Sequence, residues 1–80
     1  MYTAYADLEN KYTEEVVDYV LCNVEDYAHS EEPDYVSAMD CEDAIRLEKE
    51  AGFMPVPDAM TPAAYAEIWN RAVWLRRFPQ

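Results

Sequence analysis

Glycine occurs once in this chain, at Gly52, and histidine once, at His29. A loop that cradles phosphate with successive backbone amides needs several glycines, which excludes a P-loop, a dinucleotide-binding turn and a nucleophile elbow. One histidine with no evident nucleophile or orienting carboxylate makes no catalytic triad. Cysteine appears only as Cys22 and Cys41. That allows a single disulfide but neither a disulfide scaffold nor a zinc module with repeated ligand pairs. No apolar run approaches the roughly 18 residues that span a membrane, and no basic segment followed by an apolar one marks a secretion signal. These absences lead us to expect a cytoplasmic protein with no membrane contact, no enzymatic activity and no cofactor.

Positive charge is the next scarcity. Six basic residues face seventeen acidic ones, for a formal net charge of -11. A magnitude of about 2 to 8 suffices for solubility in a small domain, and self-repulsion beyond that costs stability. The charge disfavours DNA, RNA and anionic membranes as partners and favours a basic protein surface. From Met1 to Met60 there are sixteen acids and three bases (Lys11, Arg46, Lys49), whereas Thr61 to Gln80 holds Glu67 and three bases (Arg71, Arg76, Arg77). Two electrostatically distinct faces are therefore expected.

What the chain does have is apolar and aromatic. Hydrophobic residues make up 51%, with seven Tyr, two Trp and two Phe, which is too much for a disordered acidic tail. Eighty residues suit one domain built on one core. Tyr5, Leu8, Tyr12, Val16, Tyr19, Val20, Val24 and Tyr27 recur at steps of three and four, a helical stripe. It is either one rod or two helices broken near Asn10 to Thr13, with Thr13 as cap. Pro33 makes residues 30–34 a connection. A further helix starts near Ser37 or Asp40, uses Ala44, Ile45, Leu47 and Ala51 as its apolar side, and stops at Gly52, with Phe53 folding back onto the last turn. Residues 54–58 are too proline-rich for regular structure and are expected to strap across the core. Thr61-Pro62 opens a last helix to about Arg77, with Tyr65, Ile68, Trp69, Ala72, Val73 and Leu75 inward. The expectation is an all-α, three- or four-helix bundle-like single domain over residues 1–80.

Candidate sites follow from spacing. Asp18, Cys22, Glu25 and His29 line up along one helical face and are competent ligands for a zinc-like ion. No closed-site spacing supports them, and the plainer reading is a polar face with His29 beside Glu25 or Asp26, so no metal is expected. Carboxylate pairs such as Glu14 with Asp18, or Asp40 with Asp43, lack the cleft that would separate their pKa values for acid–base work. The run from Glu25 to Asp43 is the strongest functional signal. Glu25, Asp26, Glu31, Glu32, Asp34, Asp40, Glu42 and Asp43 are uninterrupted by any Lys or Arg. Acids three or four apart on a helix sit about 5 to 6 Å apart, a spacing on the scale of backbone phosphates. The plainer reading is a solvated face. Tyr27 and Tyr35, and also Tyr2, lie beside these acids as candidate anchors. Trp74 with Phe78 forms a second candidate interface, for a partner or for a homodimer.

In size, acidity and lack of catalytic motifs the chain resembles the small acidic inhibitors made by phages and mobile elements, including anti-CRISPR and anti-restriction proteins that imitate DNA. That class shares no sequence motif, so no residue role comes with the resemblance. It implies a basic nucleic-acid-binding target, a CRISPR effector or a restriction enzyme, blocked without direct nucleic-acid contact. The alternative is a small helical adaptor or antitoxin-like interaction module with no nucleic-acid mimicry, binding through Trp74, Phe78 and the terminal basic turn.

Overall fold

Local rules place each helix, and the computed structural model describes residues 3–79. A 3-10 turn, Thr3–Tyr5, leads into α1 (Ala6–Lys11), then α2 (Glu14–Ala28), α3 (Ala38–Ala51) and α4 (Pro62–Arg77). Among the described residues there is no strand, so the domain is all-α with four α-helices.

The N-terminal stripe is two helices rather than a rod. The Thr13 hydroxyl accepts the Val16 N–H at 3.1 Å, starting α2 afresh. Ser37 and Asp40 form a reciprocal capping box at the start of α3. Thr61 accepts the Ala64 N–H at 3.1 Å, and Pro62 occupies the first turn of α4, where its missing N–H costs nothing. Gly52 ends α3 at φ 68°, a left-handed conformation that glycine adopts without steric cost.

Helix α4 is the centre of the bundle, packing against both α2 and α3, while α1 packs on α2. It buries Ala64, Tyr65, Ala66, Ile68, Trp69, Ala72 and Val73. Against these lie the valines of α2 (Val16, Val17, Val20, Val24), Leu8 of α1, and Cys41 with Ile45 of α3. The β-branched valines thus serve a helix, because their three- and four-residue steps point them at α4.

Several expectations need correction. Leu47 and Ala51 are exposed, since the stripe of α3 that meets the core runs through Cys41 and Ile45. Phe53 is 96% exposed. The helix end closes through Gly52 N–H to the Glu48 carbonyl at 3.1 Å, and the chain then leads away into Met54-Pro55. Only Val56, Pro57 and Met60 of the following segment turn inward; Met54 and Pro55 stay exposed. Cys22 is exposed, Cys41 is buried, and both are free thiols.

The three arginines of the last helix all have acidic partners. Arg71, Arg76 and Arg77 of α4 pair with Asp7, Glu25 and Asp34 at 2.8, 3.7 and 2.9 Å, so acids from elsewhere neutralise them. No helix among the described residues is long and apolar enough to cross a membrane.

Ile68 has no solvent-exposed area. Ile68→Ala should cost about 2 to 5 kcal/mol, a large share of a small domain's stability, whereas Phe53→Ala should stay within about 0.5 kcal/mol. Urea unfolding of the two variants checks both values.

Candidate functional site

Three helices and a connecting segment enclose a cleft of about 650 Å³, within the size range of ligand-binding pockets. Helix α2 contributes Asn23, Asp26 and Tyr27; the connection contributes Asp34, Tyr35 and Val36. Helix α3 contributes Asp40, Cys41, Ala44 and Glu48, and α4 contributes Tyr65 and Trp69. Each helical set follows the three- and four-residue spacing that aligns side chains on one face.

Part of the cleft's lining, Asn23, Glu48 and Tyr65, belongs to a polar joint. Glu48 Oε1 accepts the Tyr19 hydroxyl at 2.7 Å and the Asn23 amide at 3.1 Å, and Oε2 accepts the Tyr65 hydroxyl at 2.8 Å. The same Asn23 amide donates to the Tyr65 oxygen at 3.1 Å. Side chains of α2, α3 and α4 thus meet on one carboxylate. Burial, and then the bond to Glu48, push the Tyr19 phenol up to about 12. Tyr65 moves further in the same direction for the same two reasons. Burial likewise raises the Cys41 thiol to about 11, so it stays protonated and unreactive near neutrality.

One wall is a strap tied down to α4. Asn70 reads the Val36 backbone as a strand partner would, accepting its N–H at 2.8 Å and donating to its carbonyl at 2.9 Å. Trp69 Nε1 donates to the Asp34 carbonyl at 2.8 Å, and Pro33 is buried beneath the turn. Trp69 in turn stacks with Tyr65, centroids 6.1 Å apart, and meets Tyr27 edge-on at 5.7 Å. The Tyr35 N–H, followed by the Arg77 guanidinium, holds the Asp34 carboxyl below its usual range. Tyr27 donates to Glu31 at 2.7 Å, which raises its phenol.

Of the ten residues singled out around the acidic run, Asp26, Tyr27, Asp34, Tyr35 and Asp40 line the cleft; Glu25, Glu31, Glu32, Glu42 and Asp43 lie outside it. All eight acids are exposed. Three of them, Glu25, Asp34 and Asp43, pair with Arg76, Arg77 and Arg46. Tyr2 lies outside the described residues. Trp74 and Phe78 form an exposed pair with centroids 5.5 Å apart. Five residues separate Trp74 from Trp69, about 140° around α4, so this patch points away from the cleft. Among the described residues no group of three or more His, Cys, Asp or Glu side chains is arranged to hold a metal ion, and the Asp18–Cys22–Glu25–His29 ladder forms none. His29 does not pair through its ring with the acids before it; its backbone N–H closes α2 on the Asp26 carbonyl at 3.3 Å.

Sequence reasoning missed Asn23, Glu48, Tyr65 and Trp69 as site residues. A usable signal was present. Asn23 falls between Tyr19 and Tyr27 at four-residue steps, and Glu48 continues the Cys41–Ala44–Ile45 stripe, so each is a polar residue on a buried face. Comparison with protein-family models, curated proteins and solved structures matches none to this chain.

Tyr19 and Tyr65 have phenols raised above the ordinary value of 10, Tyr19 to about 12. Their contribution is complete below pH 10 and is lost as pH rises through the folded value. Stability should fall between about pH 10 and 12, by on the order of 1 kcal/mol per pH unit. Cys41, raised from 9 to about 11, overlaps the lower half of this window, so the diagnostic is a shallower slope for Tyr19→Phe and Tyr65→Phe than for the parent in urea melts.

Proposed function

We propose that this protein is a small helical protein–protein interaction module whose acid-rimmed aromatic cleft docks a basic segment of a partner protein. The single observation that carries the reading is the convergence of Asp26, Asp34, Asp40 and Glu48 around aromatic walls in one cleft whose lining contains no Lys, Arg or His. Clefts with largely apolar walls and a few placed polar groups are the usual form of a recognition site. Tyr and Trp supply rigid contact area, and the carboxylates steer and orient a cationic partner. The strap's bonds to Asn70 and Trp69 and the bonds that gather three helices on Glu48 favour a cleft formed before the partner arrives, which lowers the ordering cost of binding.

A second reading has its own support. The net charge of -11 exceeds what one cleft needs, and it favours an inhibitor that occupies the basic nucleic-acid-binding surface of a host defence protein as a DNA mimic. That reading draws on the acids outside the cleft, above all Glu31, Glu32 and Glu42. Against it stand the arginine counterions of Glu25, Asp34 and Asp43, which reduce the coherent negative charge of the run.

The two readings separate in a titration with a short basic peptide of arginine, lysine and glycine. Docking in the cleft should shift the amides of Asn23, Tyr27, Val36 and Ala44 and the Trp69 indole. Asp26→Lys should weaken binding about tenfold, while Glu31→Lys with Glu32→Lys, or Trp74→Ala, should change it by less than about threefold. The reverse pattern, with Asp26→Lys silent and the Glu31/Glu32 reversal decisive, would overturn cleft docking in favour of the decoy.

A further inference from the structure

The cleft already shows how it treats a guanidinium. At its outer lip the Arg77 guanidinium sits 4.9 Å from the centre of the Tyr35 ring and donates to Asp34 Oδ1 at 2.9 Å. Both Tyr35 and Asp34 line the cleft, whereas Arg77 does not; it approaches from the end of α4. A cation stacked on an aromatic face while bonded to a carboxylate is the arrangement that suits arginine: a planar, weakly hydrated fork.

Further in, acceptor capacity remains open. Among the described residues Asp26 makes no ion pair, and Glu48 receives only neutral donors, with Oε2 taking a single bond from Tyr65. Among the described residues Tyr35 N–H and Arg77 both bond Asp34 Oδ1, and none bonds its Oδ2. Around these carboxylates stand Tyr27, Tyr35, Tyr65 and Trp69. A lysine ammonium would give up strong hydration to enter such walls. A guanidinium gives up less, lies flat on a ring and offers several donors in one plane to separate carboxylates.

We infer that the cleft is a receptor for one arginine side chain of the basic partner, and that Arg77 competes in cis for its outer subsite, Asp34 and Tyr35. This inference rests on the cleft-docking reading and specifies its ligand. An incoming arginine enters beside Asp26 and exchanges with Arg77 at Asp34, so removing Arg77 exposes the subsite.

The test is a titration of the isotopically labelled full chain with capped Gly-Arg-Gly, its lysine counterpart and its neutral citrulline counterpart, followed by the Trp69 indole N–H and the Tyr27 and Val36 amides. The arginine peptide should bind at least about fivefold more tightly than the lysine peptide, and citrulline should not bind. Arg77→Gln should tighten arginine binding by about threefold or more. Asp26→Asn, which disturbs no intramolecular ion pair, should weaken it about fivefold or more. Equal binding of arginine and lysine peptides at the cleft would overturn the arginine assignment and leave the docking reading standing. Unchanged or weaker binding in a folded Arg77→Gln variant would overturn the competition. Arginine binding that survives Asp26→Asn undiminished would remove the inner subsite. If none of these peptides, nor the mixed basic peptide, shifts the cleft resonances, the docking reading itself falls.

Discussion

One half-buried carboxylate sets the geometry of this domain. Glu48 receives hydrogen bonds from two phenols and an amide, on two other helices, and among the described residues it meets no cation. Hydrogen bonds to a charged acceptor contribute about 1.5 to 3 kcal/mol each, and losing a donor leaves one acceptor site of a half-buried carboxylate less well satisfied. The joint therefore specifies which faces of α2, α3 and α4 meet. The valine and alanine packing beneath it would tolerate small rotations of the helices; three directional bonds to one residue do not. Three members of the joint, Asn23, Glu48 and Tyr65, also line the cleft, so the same bonds that tie the helices together fix part of its wall.

Acidity plays two roles in this molecule. Part of it is internal: Asp7, Glu25, Asp34, Asp43 and Glu67 pair with five of the six basic residues, and Asp40 closes the capping box of α3. The Lys11–Glu67, Asp7–Arg71 and Asp34–Arg77 pairs tie α1 and the strap to α4, although exposed ion pairs individually contribute little. The rest is unneutralised, and part of it faces the cleft. The position of an acid in the fold, rather than membership of an acidic run, decides which role it has. Glu31 and Asp34 are three residues apart, yet one bonds an exposed tyrosine and the other fastens the strap.

Much of the architecture was legible in the sequence because it rests on local chemistry. Thr13, Ser37, Gly52 and Thr61 each sit where capping rules put them, and the α4 stripe from Tyr65 to Val73 is buried as its spacing predicts. What escaped was non-local. Nothing around Glu48 in the chain reveals that Tyr19, Asn23 and Tyr65 will surround it, and nothing near Asn70 reveals Val36 as its partner. The misassigned side of α3 has the same origin. Leu47 is more hydrophobic than Cys41, but Cys41 and Ile45 are the residues of α3 that face the core, and Leu47 is left in solvent. Of the candidate site, Asp26, Tyr27, Asp34, Tyr35 and Asp40 were visible because they belong to the acidic run or flank it; Asn23, Glu48, Tyr65 and Trp69 lie on helix faces that read as ordinary core or surface.

The fold and the proposed docking function share a single dependence, since a cleft that selects a cation needs walls that do not move. A double-mutant cycle in urea between Glu48→Gln and Tyr65→Phe measures the joint directly. We expect a coupling free energy of about 1 to 3 kcal/mol, as for residues sharing one hydrogen-bond network. Additive losses, with coupling near zero, would show that the three helices are aligned by apolar packing alone and would contradict the account.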